Sequence, residues 1–196
     1  MPRGDRSPRD EHAARKRGAL FEAAMNLFST QGYDQTTTEE IAEAAGVSPR
    51  TFFRYFPTKE SVLFTGGFDF IASFSGVYLA QDETLSDYEA MAESFALLAP
   101  GLKRIRHRIA QYHDAIASSL VLRGRERQNH IENAETIAEV IARRRGIETP
   151  DRECGLLATV GMMLLERAVE QWLAARGLGL DDIIREEFSA LPAALT

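Results

Sequence analysis

Residues 47–60, which read VSPRTFFRYFPTKE, contain side chains well suited to bind a polyanion. Three phenylalanines and a tyrosine are mixed with two arginines and a lysine in this short stretch. Guanidinium, ammonium, hydroxyl and phenol groups donate hydrogen bonds to phosphates, and arginine also donates to guanine edges. The segment therefore has the chemistry of a nucleic-acid contact, provided that one element presents these donors on a single face.

A short helix over about residues 49–56 would separate these side chains into two faces. Ser48 can cap its N-terminus, and proline at its first position loses no hydrogen bond. At about 100° per residue, one half of this helix collects Pro49, Phe52, Phe53 and Phe56, and the other half collects Arg50, Thr51, Arg54 and Tyr55. We expect the phenylalanines to anchor the helix and the other half to face outward.

The residues before this segment predict a second helix and a tight turn. Thr37 and Glu40 fit a capping box that starts a helix near Thr38. Gly46, four residues after Ala42, supplies the positive φ of a helix end. A capped helix, a tight turn and a second helix with a cationic face form a helix-turn-helix, whose second helix enters the major groove of DNA. The alternative is a plain three-helix bundle with a solvated polar face.

The rest of the chain predicts an all-α protein, because apolar residues recur at the helical period and strand-like alternation is absent. We place a domain boundary at residue 62. Residues 1–61 are expected to form the DNA-binding domain, with a flexible basic arm over residues 1–9, and residues 62–196 to form a larger helical domain. The expected helices cover about residues 10–30, 59–79, 85–98, 101–121, 126–145, 151–175 and 181–191, with loops at AQDET, APG, RGIETPD and RGLGL.

Charge is distributed unevenly along the 196 residues. The net charge is −6, yet residues 1–20 carry six cations against three carboxylates, which leaves −9 on the remainder. A basic tip on an acidic body suits a protein that touches a polyanion with one end. The single cysteine, Cys154, allows no disulfide within the chain, and no stretch is long enough to span a membrane. Together with the lack of a signal peptide, these features indicate a cytoplasmic protein.

Residues 36–64, TTTEEIAEAAGVSPRTFFRYFPTKESVLF, resemble the DNA-binding signature of the tetracycline-repressor-type (TetR) family, and the resemblance extends over about residues 10–64. It implies three N-terminal helices that bind DNA and C-terminal helices that bind an inducer and dimerise. By position, it assigns contacts with the DNA backbone to Thr37, Thr51, Tyr55 and Lys59, and contacts with bases to Ser48, Pro49, Arg50 and Arg54.

One departure from the family pattern concerns Phe53, where the family commonly has a tyrosine whose hydroxyl touches phosphate. Either Tyr55 and Lys59 suffice without it, or Phe53 has joined the core. Thr58 is expected to cap the next helix, so that free N–H groups and Lys59 in its first turn clamp a phosphate.

The larger domain is expected to bind a small molecule and to dimerise. One helical stripe, formed by Phe68, Ile71, Ser75 and Tyr78, is a candidate ligand wall, although most such stripes are core. The helix from Asp151 is apolar around much of its circumference, which predicts a second partner surface or, alternatively, a central helix in a monomer. The predicted dimer interface comprises Leu157, Gly161, Leu164, Leu165, Ala168, Trp172, Ile184 and Phe188.

These features predict a homodimeric transcription regulator and not an enzyme, because the sequence has no GxSxG motif and no phosphate-binding loop. The regulator is expected to be a repressor that leaves a near-palindromic double-stranded DNA operator when an inducer binds. No cofactor is expected, and the four histidines share no metal-ligand spacing with Cys154. We interpret Glu126 and His130 as a solvated pair. The sequence also resembles an actinobacterial subgroup that includes regulators of mycofactocin clusters, which implies an acyl-CoA or another apolar ligand. The alternative function is a helical ligand-binding or scaffold protein without DNA binding.

Overall fold

A computed structural model describes residues 8–65, 70–175 and 177–194, and these residues contain helices but no strand. The described helices are α1 (Pro8–Gln31), α2 (Thr38–Ala44), α3 (Pro49–Tyr55), α4 (Ser61–Thr65), α5 (Phe70–Leu79), α6 (Asp87–Lys103), α7 (Arg106–Ser118), α8 (Leu120–Arg145), α9 (Arg152–Ala174) and α10 (Leu180–Ala194). The all-α prediction is confirmed. Among the described residues, no helix is long and apolar enough to cross a membrane.

The described residues divide into two compact units. The first unit contains residues 8–65 and the segment Arg108–Gly124, and the second contains residues 70–107 and 125–194. The boundary predicted at residue 62 stays a prediction, although Val62 and Leu63 are buried in the core of the first unit. The predicted arm lies mostly outside the described residues, and α1 already begins at its eighth residue.

The first unit is held together by side chains that α1, α2 and α3 contribute to one core. Leu20, Ala24 and Phe28 lie on one stripe of α1 and are at most 2% exposed. Ile41 of α2 and Phe52 of α3 are fully buried against them in the same cluster. Burial of a large apolar side chain contributes about 1.5–3 kcal/mol, so this shared core fixes the short helices that could not persist alone.

The second unit packs α6 between α5, α9 and α10. Phe95 of α6 is fully buried, with Phe74 of α5 at 4.8 Å and Phe188 of α10 at 6.0 Å between ring centroids. Gly161 lets α9 approach α6 closely, because a Cβ at that position would overlap the Met91 sulfur. The C-terminal end of α9 is capped by Arg106, whose Nη2 donates to the Trp172 carbonyl at 2.7 Å.

Several predicted helix limits are wrong. The APG segment does not end a helix. Pro100 lies inside the last turns of α6, where its missing N–H removes a single hydrogen bond from the helix. The predicted helix over residues 59–79 begins two residues late, at Ser61. α8 begins six residues before the predicted Glu126, because Gly124 is tolerated within it.

Candidate nucleic-acid interface and effector unit

The predicted helix-turn-helix is formed by α2 and α3. The Thr37 hydroxyl accepts from the Glu40 N–H at 3.2 Å, and the Glu40 carboxylate accepts from the Thr37 N–H at 2.8 Å. This capping box is confirmed, and the Thr37 N–H holds the pKa of the Glu40 carboxyl below its usual value. In the turn, Gly46 has a φ of 66°, and the Val47 N–H reaches the Ala42 carbonyl at 2.9 Å.

α3 is anchored from behind by two aromatic rings. Ser48 caps the helix as predicted, since its hydroxyl accepts from the Thr51 N–H at 3.2 Å. Phe52 and Phe56 are both fully buried, with ring centroids 5.7 Å apart. The opposite side of α3 is therefore presented on a firmly held helix.

The outer side of α3 carries most of the predicted DNA-contacting residues. Ser48, Pro49, Arg50 and Arg54 are exposed, and Thr51 and Tyr55 are partly exposed. The predicted placement of Phe53 with the anchoring rings is wrong, because its side chain is 50% exposed and meets Phe52 only edge-on at 5.4 Å. A residue one step from Phe52 points about 100° away, and Phe52 and Phe56 already fill the anchoring position. Burial of Phe53 therefore does not explain the missing tyrosine hydroxyl.

Lys59 is engaged within its own unit. Its ammonium donates to the carbonyls of Tyr33 and Thr36, at 2.8 Å each, and lies 4.1 Å from the centroid of the Tyr33 ring. Burial lowers the pKa of Lys59. The Thr58 hydroxyl accepts from the Ser61 N–H at 3.3 Å, but the predicted N-cap is wrong, because α4 begins only at Ser61 and both Thr58 and Lys59 lie in the turn before it. An ammonium has three donors, so one hydrogen of Lys59 is left for a further acceptor.

Arg17 of α1 is a cation near α3 that sequence reasoning did not assign. Its guanidinium carbon lies 6.0 Å from the centroid of the Tyr55 ring, and that of Arg54 lies 5.0 Å from the same centroid. Arg17 and Tyr55 are 38 positions apart, and the packing angle between α1 and α3 decides whether they meet. Sequence periodicity gives no such angle, so no local signal could have identified the pair.

The predicted ligand residues of the second unit occupy different environments. Phe68 lies outside the described residues, and Ile71 and Ser75 are half-buried. Tyr78 is fully buried, and its hydroxyl donates to the Asp87 carboxylate at 2.8 Å. Burial and that carboxylate raise the pKa of Tyr78. Tyr78 is thus a core residue of this unit, and the assignment of the stripe to a ligand stays a prediction.

An open groove lies between α8 and α9 within the second unit. Its volume is about 710 Å³, and residues from both helices and the loop between them line it. Its apolar lining includes Ile131, Ala134, Ala138, Met162 and Met163. A groove of this size is within the ~300–1,000 Å³ typical of small-molecule sites.

His130 joins the two walls of this groove. Its Nε2 lies 3.0 Å from the Glu126 carboxylate and its Nδ1 lies 3.6 Å from the Glu166 carboxylate. The hydrogen bond to Glu126 raises the pKa of His130 above its usual value. The predicted pairing of Glu126 with His130 is present, but the description of it as solvated is wrong, because their side chains are only 16% and 28% exposed.

Most of the predicted dimer residues are buried within the second unit. Leu157 is half-buried, and the other seven are buried: Gly161, Leu164, Leu165, Ala168, Trp172, Ile184 and Phe188. The apolar circumference of α9 is therefore explained in part by its own chain. A different stripe of α9 is open, since Leu156 is 57% and Met163 is 49% exposed, with half-buried Val160 between them.

No group of three or more metal-ligating side chains is placed to hold a metal ion in the described part of the chain.

Two family models match this chain. The model described as bacterial regulatory proteins, TetR family, matches residues 20–64, which contain most of α1 and the helix-turn-helix. The model described as the MftR C-terminal domain matches residues 104–196.

Curated relatives agree with both matches. The regulator TcmR from Streptomyces glaucescens is 32% identical over 73% of this chain, which spans 66% of that relative's length. The mycofactocin biosynthesis regulator MftR from Mycobacterium tuberculosis, itself described as putative, is 26% identical over 96% of this chain and 97% of its own length.

A solved structure extends the agreement to the fold. FadR from Thermus thermophilus, a TetR-family repressor crystallised with lauroyl-CoA, is 26% identical with a TM-score of 0.58, covering 92% of this chain and 95% of its own. The DNA-binding prediction and the predicted subgroup are confirmed by these matches. The chain belongs to the TetR family of DNA-binding transcriptional regulators, with a C-terminal domain of the MftR type.

Proposed function

We propose that this protein is a homodimeric repressor that binds a near-palindromic operator through α3 and leaves it when a small molecule binds the second unit. The observation that carries the proposal is the outer side of α3, which presents Arg50 and Arg54 to solvent while Phe52 and Phe56 are fully buried behind them. A helix held from behind in this way is already formed before it enters the major groove. Such a regulator would act in the cytoplasm, where the DNA is.

The residues of the first unit divide into those that would read bases and those that would hold the backbone. Arg50 is exposed in the first turn of α3, and N-terminal residues of a recognition helix contact base edges. Ser48 and Pro49 precede it on the same exposed side. Thr37, Thr51 and Tyr55 would contact phosphates, and Lys59 would contribute through its remaining hydrogen.

We assign the dimer contact to the open stripe of α9 rather than to the buried residues. Leu156, Val160 and Met163 recur at spacings of four and three, which places them on one face of the helix, and Met163 at the edge of this face also lines the groove between α8 and α9. The core residue Ala158 lies about 200° around α9 from Leu156, so this stripe is turned away from the core. A second copy with the same stripe would bury these side chains by two-fold symmetry.

The ligand would occupy the groove between α8 and α9, because its lining is mainly apolar and its volume suits a small molecule. An acyl-CoA ester is the ligand class that the similarity to the lauroyl-CoA complex favours. Binding at this groove would favour one of two arrangements of the protein and so couple to DNA affinity.

A gel shift with DNA from beside the gene tests the proposal. Wild type should shift this DNA, and lauroyl-CoA should release it while raising the thermal unfolding temperature. Equal affinity for DNA with and without saturating lauroyl-CoA would remove that ester as the inducer. Failure to shift any DNA at low salt would contradict the regulatory function itself.

A further inference from the structure

We propose that Arg17 of α1 and Arg54 of α3 form, around the ring of Tyr55, a binding site for one DNA backbone phosphate. The inference rests on the proposed function and adds α1 to the surface that holds DNA. It also changes the assignment of Arg54, which the family resemblance places against a base.

The first observation is that two cations share one aromatic ring. The guanidinium carbons of Arg17 and Arg54 lie 6.0 Å and 5.0 Å from the centroid of the Tyr55 ring. Attraction between a cation and a ring positions each guanidinium, and the ring belongs to a partly buried residue that packs against the core. Two long side chains are thereby held near each other at the junction of α1 and α3.

The second observation is that no described carboxylate pairs with these two arginines. Among the side chains that the structure describes, which in α1 begin at His12, neither guanidinium has a carboxylate within 4.0 Å, although like charges close together repel. Arg108 of the same unit provides the contrast, because it lies 4.2 Å from the Phe21 centroid and also pairs with Glu22 at 3.2 Å. Within the described part of the first unit, the Arg17 and Arg54 pair is thus a positive site without a counter-charge.

A phosphate diester is the anion that fits these groups. Each guanidinium can donate two parallel hydrogen bonds to phosphate oxygens, and the Tyr55 hydroxyl can donate one more. Arg54 Nη2 already lies 3.5 Å from that hydroxyl, so both groups are directed to the same region. Arg54, which contacts this ring, therefore binds the DNA backbone, and Arg50 is left to contact bases.

Arginine substitutions on the full-length protein test the site. Arg17→Ala and Arg54→Ala should each weaken binding to a selected operator and to random DNA by the same factor, roughly 3- to 10-fold. Base preference should be unchanged in both. The slope of log affinity against log salt concentration should become shallower by up to about 0.9 for each DNA-binding unit. The double variant should lose less than the product of the two single effects, because the two arginines hold one phosphate.

Arg15→Ala is the matched control, since this exposed arginine lies on α1 about 200° around the helix from Arg17. It should bind DNA like wild type, and Arg17→Lys should recover part of the lost affinity. Thermal unfolding of each variant by circular dichroism should match wild type, which separates a lost contact from a lost fold.

Three outcomes would overturn the inference. If Arg54→Ala changes preference at one base pair, Arg54 reads a base. If wild type binds DNA and Arg17→Ala binds equally well, α1 makes no phosphate contact at this site, while the proposed function stands. If wild type binds neither operator nor random DNA at low salt, the proposed function fails and this inference fails with it.

Discussion

Lys59 shows how a single side chain can hold the DNA-binding unit together and still be available to DNA. Two of its three hydrogens are used by the carbonyls of Tyr33 and Thr36, which lie in the connection between α1 and α2. The sequence alone predicts that a lysine beside a helix N-terminus binds a phosphate. The carbonyls that it binds lie 23 and 26 positions earlier, and no local pattern reveals such a contact.

Lys59→Met keeps the apolar stem and removes the ammonium, so it should destabilise the first unit. Hydrogen bonds to a charged donor contribute about 1.5–3 kcal/mol, and this range is the expected loss in free energy of unfolding. Urea denaturation followed by circular dichroism measures it. Lys103→Met, at an exposed lysine of α6, should change stability by less than about 0.5 kcal/mol. Equal stability of Lys59→Met and wild type would show that the two carbonyl contacts contribute nothing.

Helix starts with strong capping signals could be predicted from the sequence, whereas contacts between helices could not. Thr37, Ser48 and Asp151 cap the helices that follow them, and each makes its hydrogen bond three residues ahead. Such bonds depend on a few neighbouring residues, so a short stretch of sequence suffices. The grouping of Arg17 with Tyr55 and the burial of Trp172 depend instead on how helices cross.

Gly161 in α9 is one residue whose role depends on a neighbouring helix. Gly161→Ala should lower stability, because the added Cβ overlaps the fully buried Met91, and overpacking costs about 1–3 kcal/mol. Gly155→Ala, in the same helix with open space around it, should be neutral or stabilising by up to about 1 kcal/mol. Thermal unfolding of both variants gives the comparison. A more stable Gly161→Ala would mean that α9 and α6 can separate without penalty.

The hydrogen bond between His130 and Glu126 in α8 should make stability depend on pH. The pKa of His130 is raised in the folded protein, so the protonated form is favoured there. Its stabilisation is fully present below the unfolded pKa of about 6.5 and is lost as pH rises through the higher folded value. The Glu166 carboxylate, 3.6 Å from Nδ1, acts in the same direction.

Glu126→Gln removes most of this effect. The difference in free energy of unfolding between wild type and Glu126→Gln should be larger near about pH 6 than near about pH 8. Chemical denaturation at a series of pH values measures it. Glu132→Gln on the same helix, an exposed residue bonded to Gln128, should show no such pH dependence. A difference that grows with rising pH would contradict the assignment.

At the scale of the whole molecule, the proposed dimer depends on apolar side chains that the single chain leaves open. Leu156→Glu combined with Met163→Glu should convert the dimer to a folded monomer, because neither side chain is needed in the core. Size-exclusion chromatography with light scattering measures the mass, and circular dichroism checks the fold. Leu97→Glu, at an exposed leucine of α6, should remain dimeric. A wild-type protein that is monomeric at micromolar concentration would contradict both the proposed dimer and the proposed near-palindromic operator.

The family and its fold could be predicted from a 29-residue signature, but the surfaces of the second unit could not. The sequence predicts Gly161 and Leu164 at a subunit interface because α9 is apolar on many sides, whereas both residues are buried within the second unit. Apolar periodicity marks which residues avoid water, and it does not distinguish the chain's own core from a partner. The groove between α8 and α9 likewise arises from the separation of two helices, which the spacing of residues within either helix does not encode.

Selection of bound DNA from a randomised double-stranded library, for wild type and for Arg50→Ala, tests the central claim most directly. Wild type should enrich a near-palindromic sequence, as expected for two copies of α3 related by a two-fold axis. Arg50→Ala should still bind, but it should lose preference at one base pair in each half-site, at a cost of about 1–3 kcal/mol per lost bidentate contact. Two results would contradict the account of α3 as the base-reading helix. Wild type could enrich no sequence from the library, or Arg50→Ala could enrich a sequence identical at every position to that of wild type.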